Sequence, residues 1–256
     1  MKKTVCDVIT YVAVFLAIQV VVTVIVGVLC KVFTGWSAPA SWQIIVSDVV
    51  SNILALIIFL RARWTVVSRH YLQTGPWFAL FWCACAASGA LAPSLWLQEL
   101  MPDLPNVAEE SFDLILQNKY GYFAVGLLAP VVEELVFRGA VLRSLLNRCR
   151  HHWTAIAVSA VVFSLIHFNP AQMPHAFLCG LLLGWMYYRT GSIVPGITFH
   201  WVNNTIACVL YQLVPDPDAT LTTLLGGSER HVMLALIFSL CIFLPSLYQL
   251  NLRLKK

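Results

Sequence analysis

An all-α membrane protein, a bundle of about eight transmembrane helices around a buried polar site, is the fold class this sequence predicts, and three observations carry it. Hydrophobic residues make up 59% of the chain and charged residues only 11%, with a mean hydropathy of +0.79, whereas soluble domains carry about a quarter charged residues. The apolar residues are gathered into runs near the length of about 20 that a helix needs to cross a bilayer. The basic residues fall between these runs in a regular alternation. The formal charge of +4 is spread over short clusters and forms no single patch, so nucleic acid is not an expected partner.

The runs cover residues 8–30, 44–60, 77–97, 123–145, 155–168, 176–188, 193–213 and 232–250. The first follows Lys2 and Lys3 and is too long for the apolar core of a cleavable signal peptide, so it reads as a retained span. With both termini cytoplasmic, the inner segments hold Lys2, Lys3, Arg61, Arg63, Arg69, Arg143, Arg148, Arg150, Arg189, Arg253, Lys255 and Lys256. The outer segments hold only Lys31, Lys119 and Arg230, and carry the acids Glu99, Asp103, Glu109, Glu110, Asp113, Asp216, Asp218 and Glu229. Positive charge on alternate loops is the expected bias for an even number of spans with both ends inside, here in the plasma membrane. Spans five and six are short, which allows little tilt, an earlier start or an interruption. No repeat is visible, so residues 1–256 read as one transmembrane domain. The outer segment 99–119 admits either a short interfacial helix around Phe112, Leu114, Ile115 and Leu116 or a plain loop. The eight cysteines have no paired metal or redox spacing and read as small apolar packing residues.

Function is written in the charges that break the apolar runs. Glu133, Glu134 and Arg138 lie inside the fourth run, where each charge costs about 2.5–3.5 kcal/mol on insertion scales. Glu134 and Arg138 are four apart with the acid first, the favourable order for an ion pair on one helix face. Glu133 points about 100° away. The fifth run ends in Phe163-Ser164-Leu165-Ile166-His167, and a hairpin centred near Arg150 brings Glu133 and His167 level. In the seventh run His200 and Asn204 share a face at i and i+4. Asp48 and Asn52 form another polar pair at this spacing, near the outer end of span two, and read as interfacial. A purely architectural reading, in which the charged triad only ties helices together, competes with a catalytic one.

The order EExxxR, FxxxH, HxxxN on these runs, with Gly139 following the arginine, resembles the CPBP family of intramembrane endopeptidases. That family includes the CAAX prenyl endopeptidases of the Ras-converting type and the bacteriocin-processing, abortive-infection-like proteases of bacteria. The resemblance covers about residues 123–211. It implies that Glu133 is the catalytic glutamate, that His167 helps it hold and activate a water, and that His200 and Asn204 stabilise the oxyanion. Glu134, Arg138 and Phe163 then support the site, and the substrate is a membrane-associated or prenylated peptide or protein. The residue chemistry permits this scheme: a desolvated carboxylate is a stronger base than one in water, and imidazole and amide N–H groups are donors. No serine, cysteine or threonine nucleophile is required, and Ser164 reads as packing.

No cofactor is implied by this scheme. A metal-dependent version of the same protease would use Glu133, His167 and His200 to hold a divalent ion such as zinc, although no HExxH helix is present and Asn204 is a poor zinc ligand. A rival from another class is a non-catalytic immunity or scaffold protein, or a small ion-coupled transporter using intramembrane carboxylates as a proton relay. Transporters usually show repeats or helices broken in matching positions, and here only Ala129-Pro130 and Pro195-Gly196 interrupt the runs.

Overall fold

A computed structural model describes residues 2–35, 40–66, 69–214 and 219–254, with side chains described from Thr4 and not at Arg69. Lys2, Lys3, Arg69, Asp216, Asp218, Lys255 and Lys256, which enter the charge alternation, therefore lie wholly or in their side chains outside the described residues. Every regular element among the described residues is helical. The elements are α1 (Lys2–Thr34), α2 (Ser41–Arg61), α3 (Arg69–Gln73), α4 (Trp77–Glu99), α5 (Glu109–Leu116), α6 (residues 122–146), α7 (His152–Leu165), α8 (Met173–Thr190), α9 (Val194–Leu213), α10 (Leu221–Leu224) and α11 (Glu229–Arg253).

Four of these, α1, α2, α4 and α11, are long and apolar enough to cross a membrane. Only 11% of the most apolar window of α1 and 17% of that of α11 is buried inside the protein. Val20, Val24, Ile25 and Val28 on α1 and Ile237, Phe238 and Ile242 on α11 point outward. A soluble protein rarely exposes such contiguous apolar surface, whereas lipid accepts it. At 14 residues α7 is shorter than a full span.

The centre of the bundle is α6. It winds without a break through π-helical Tyr122–Leu128, α-helical Ala129–Glu133, π-helical Glu134–Leu142 and α-helical Arg143–Leu146. Every residue from Glu134 to Leu142 is buried, as expected of a helix that is apolar all round apart from one ion pair. Leu135, Val136, Phe137, Val141 and Leu142 join Phe15 of α1, Phe59 of α2 and Ile156 of α7 in the main core. Wide π turns are rare and concentrate at functional sites.

Small residues set the spacing of the helices behind the site. A Cβ placed on Gly180 would come within 2.9 Å of the Ala160 methyl, and one on Gly184 within 2.9 Å of Ile156, so α8 lies directly on α7. Close contact through a small-xxx-small stripe is how helices associate where no hydrophobic driving force separates protein from lipid. Gly191, at a φ of 65°, ends α8 in the left-handed conformation and donates its N–H to the Tyr187 carbonyl at 2.7 Å. Pro195 at the start of α9 then reverses the chain. This tight corner fixes the register between α8 and α9.

The outer segment adopts the helical alternative. α5 buries Ile115 and bridges α2 and α9: Asn118 Nδ2 donates to Ser41 Oγ at 3.2 Å, Tyr211 donates its hydroxyl to Asp113 at 2.8 Å, and Gln212 donates to the Leu116 carbonyl at 2.6 Å.

Candidate active site

α6 supplies Glu133, Glu134 and Arg138. The helical spacing predicts the ion pair, and Arg138 Nη1 donates to Glu134 Oε1 at 2.7 Å with both side chains at most 1% exposed. Arg138 also donates Nη2 to the Gly180 carbonyl at 3.4 Å and lies 4.2 Å over the Phe163 ring. Glu134 reaches this position because Gly196 has no side chain: a Cβ there would sit 2.5 Å from Glu134 Oε2. Glu133, one helical step on, keeps 19% of its side chain exposed and faces a cavity of about 890 Å³.

The cavity also receives His167, His200 and Asn204, so side chains drawn from three motifs open onto one space. His167 does not lie within a helix as the fifth run suggests. α7 stops at Leu165, and His167 occupies the turn that follows, where the chain reverses through Phe168 at a φ of 49°. Its Nδ1 donates to the Phe163 carbonyl at 2.8 Å, an i to i−4 bond that replaces helix continuation with a side chain. Nε2 is left as the free ring atom. The turn is pinned by Asn169, fully buried, which accepts from Val107 N–H at 3.1 Å and donates to Asn106 at 2.8 Å. Ser164, read as packing, donates to the Met173 carbonyl at 2.7 Å and closes the same hairpin.

His200 stands between the two glutamates. Its Nδ1 lies 3.2 Å from Glu134 Oε1 and its Nε2 3.8 Å from Glu133 Oε2. A carboxylate only accepts, so Nδ1 carries a proton, and Nε2 is a donor when the ring is an imidazolium. Asn204 donates one N–H to the Val125 carbonyl in the first π-helical stretch at 3.0 Å, and its Oδ1 accepts from Asn203 at 3.4 Å. The second amide proton of Asn204 is uncommitted.

Phe163 packs beside His167 as expected, with ring centroids 5.0 Å apart. It also meets His200 at 5.9 Å and Phe137 at 5.3 Å, both edge-on. One ring thus touches residues from all three motifs.

Three cavity residues escape the motif reading. His175 and Cys179, at i and i+4 on α8, contact each other at 3.4 Å, and His175 Nε2 lies 3.5 Å from Asn203 Nδ2. Their spacing was a signal, weak because such pairs are common in packed helices. Asp48, read as interfacial, is the third: α2 turns Ser47, Asp48 and Ser51 toward the cavity that Glu133 also lines.

A metal would need Glu133, His167 and His200 to converge. Among the described residues no group of three or more His, Cys, Asp or Glu side chains has that arrangement. No step is derived through a metal ion.

An all-helical membrane protein with a cavity that receives polar side chains from three sequence motifs is the class so defined. Residues 116–206 match the model of the Type II CAAX prenyl endopeptidase Rce1-like family, and this segment contains all seven motif residues from Glu133 to Asn204. The resemblance carried by the three motifs is thereby borne out. The chain is 28% identical over 102 residues to the membrane-embedded CAAX protease MroQ of Staphylococcus aureus (strain USA300), covering 38% of this chain and 40% of that protein. It is 28% identical over 88 residues to the UPF0177 protein YxdF of Lactococcus lactis subsp. lactis (strain IL1403), covering 34% of this chain and 45% of that one. The chain thus spans less than half the length of these curated relatives. No solved structure matches it significantly.

Proposed function

We propose that the protein is an intramembrane endopeptidase that hydrolyses peptide bonds of membrane-associated peptides or proteins, prenylated ones included, by a glutamate- and histidine-activated water. The observation that carries this reading is the convergence of Glu133, His167, His200 and Asn204 on one cavity of about 890 Å³. The similarity of residues 116–206 to the CAAX endopeptidase family supports it.

In this scheme water is held by the Glu133 carboxylate and the free Nε2 of His167. Glu133 takes a proton as the water oxygen bonds to the substrate carbonyl carbon. The resulting oxyanion faces Nε2–H of a protonated His200 and the second N–H of Asn204, and the C–N bond breaks as Glu133 returns the proton to the leaving amine. Glu134, neutralised by Arg138, holds the imidazolium in place through Nδ1. The protein supplies a prepositioned donor set, which is worth more than the same groups in water.

The finer topology belongs to the same proposal: about eight spans in one transmembrane domain, both termini cytoplasmic, in the plasma membrane, with the protease core near residues 123–211. Reporter fusions that put either terminus outside would sink this arrangement.

Glu133→Gln tests the chemistry. It keeps size and hydrogen bonding but removes basicity, so purified protein in detergent or liposomes should lose cleavage of a substrate peptide. Turnover at the parental rate would falsify the assignment of Glu133. Ion flux that changes in the variant while no cleavage is ever seen would instead favour a transporter.

A further inference from the structure

Asp48 has no part in the hydrolytic scheme, yet it lines the same cavity as Glu133. Its Oδ1 accepts from Asn52 Nδ2 at 3.1 Å, while Asn52 also donates to the Asp48 carbonyl at 3.0 Å, so the carboxylate is held from one turn further on. Asn52 itself is only 3% exposed. The second oxygen, Oδ2, is buried with no hydrogen-bond partner. A carboxylate oxygen left unpaired in a low-dielectric wall is costly, and a cation is the group that relieves the cost best.

Among the described residues nothing supplies that cation. No lysine or arginine is among the described residues that line the cavity, and Arg138 is committed to Glu134. Asp48 and Glu133 are the carboxylates among the described residues that line the cavity, and Glu133 has His200 beside it. The α1–α2 wall of the cavity carries the neutral polar side chains of Gln19 and Thr23 of α1 and Gln43, Ser47 and Ser51 of α2, beside the apolar Ile44. Such a wall hydrates or hydrogen-bonds an ammonium or guanidinium without competing for its charge.

We propose that Asp48 is a recognition site for a cationic group of the peptide substrate, a lysine or arginine side chain or a free amino terminus, bound in the α1–α2 wall of the cavity while the scissile bond lies at Glu133. The inference rests on the hydrolytic reading for the identity of the ligand as a peptide. Asp48 acts as a specificity residue, and the bound cation sets which bond reaches Glu133.

The test measures binding apart from cleavage. Full-length Glu133→Gln protein in detergent is titrated with short fluorescent apolar peptides that carry lysine at each position in turn, against glutamine counterparts, with the amino terminus free or acetylated. At one position lysine should tighten binding about tenfold or more, a difference of about 1.4 kcal/mol or above. If the preference follows the free terminus and is lost on acetylation, the ammonium group of the terminus is the ligand. Asp48→Asn, which still accepts from Asn52, should erase the preference, and in the otherwise parental protein it should raise KM for the lysine peptide with little change in kcat. Equal binding of lysine and glutamine peptides at every position, or a preference that survives Asp48→Asn, overturns the proposal. Should that variant not fold, Asp48→Ser removes the charge through a smaller polar side chain, and an undiminished preference there is equally fatal. Charge-dependent binding without cleavage by the parental protein would overturn the hydrolytic reading and leave the cation site standing, whereas cleavage indifferent to peptide charge does the reverse.

Discussion

Glu133 and Glu134 are the same residue type at adjacent positions of one helix, and they meet opposite surroundings. Glu134 is fully buried against Arg138 and His200, with Gly196 pressed to its second oxygen. Glu133 keeps 19% of its side chain open to the cavity and has only a 3.8 Å approach to His200 Nε2. A helical step of about 100° produces this division. The difference teaches that a membrane-buried charge cluster can separate its tasks by angle: one carboxylate is consumed in holding the bundle together, which leaves its neighbour free for a ligand.

Because of that division, the variants should rank by how deeply each disturbs the buried side of the site. Arg138→Leu should do most harm, because it strands a buried carboxylate at a cost of about 3–5 kcal/mol. Its mark would be poor abundance and a lowered melting temperature in detergent, and a normal melt would mean that Glu134 is solvated. Next comes Gly196→Ala, whose methyl would meet Glu134 Oε2 at 2.5 Å and its Cδ at 3.3 Å. Overpacking of this kind costs about 1–3 kcal/mol, and a stabilised variant would contradict the close approach described for α9. Asn204→Ala removes the donor to the Val125 carbonyl, a loss of about 0.5–1.5 kcal/mol. Because the same amide is assigned to the oxyanion, turnover should fall by about 10²–10³, and an unaltered kcat would remove Asn204 from the reaction. Glu133→Gln should be mildest in stability, within about 0.5 kcal/mol of the parent. A large drop in its melting temperature would erase the contrast with Glu134.

Much of the site was legible because helical spacing is a strong rule. The Glu134–Arg138 pair and the separate direction of Glu133 follow from residue counting, whereas the packing of Phe163 under Arg138 was not expected from it. The resemblance to a protease family added roles that spacing alone leaves open. What escaped was set by tertiary contacts. No local pattern announces π-helical turns over Glu134–Leu142, since they arise from packing on every side. His167 lies beyond the end of α7 because Asn169 and the 105–107 loop bind the reversal, an interaction across 62 residues. Asp48 was visible as a polar pair with Asn52, but only the rotation of α2 decides that it faces inward. Span counting has a similar limit, because α7 is apolar yet only 14 residues long.

The Phe163 ring has a consequence for motion. Arg138 covers its face at 4.2 Å, and His167, His200 and Phe137 meet it edge to face or nearly so. In an interior packed as densely as an organic crystal, a ring enclosed this way turns over only when its neighbours part. Its half-turn therefore registers each transient loosening between α6, α7 and α9. Slow exchange between the two edges of that single ring, read by NMR on fluorinated or deuterated phenylalanine, would time the opening of the whole cavity floor.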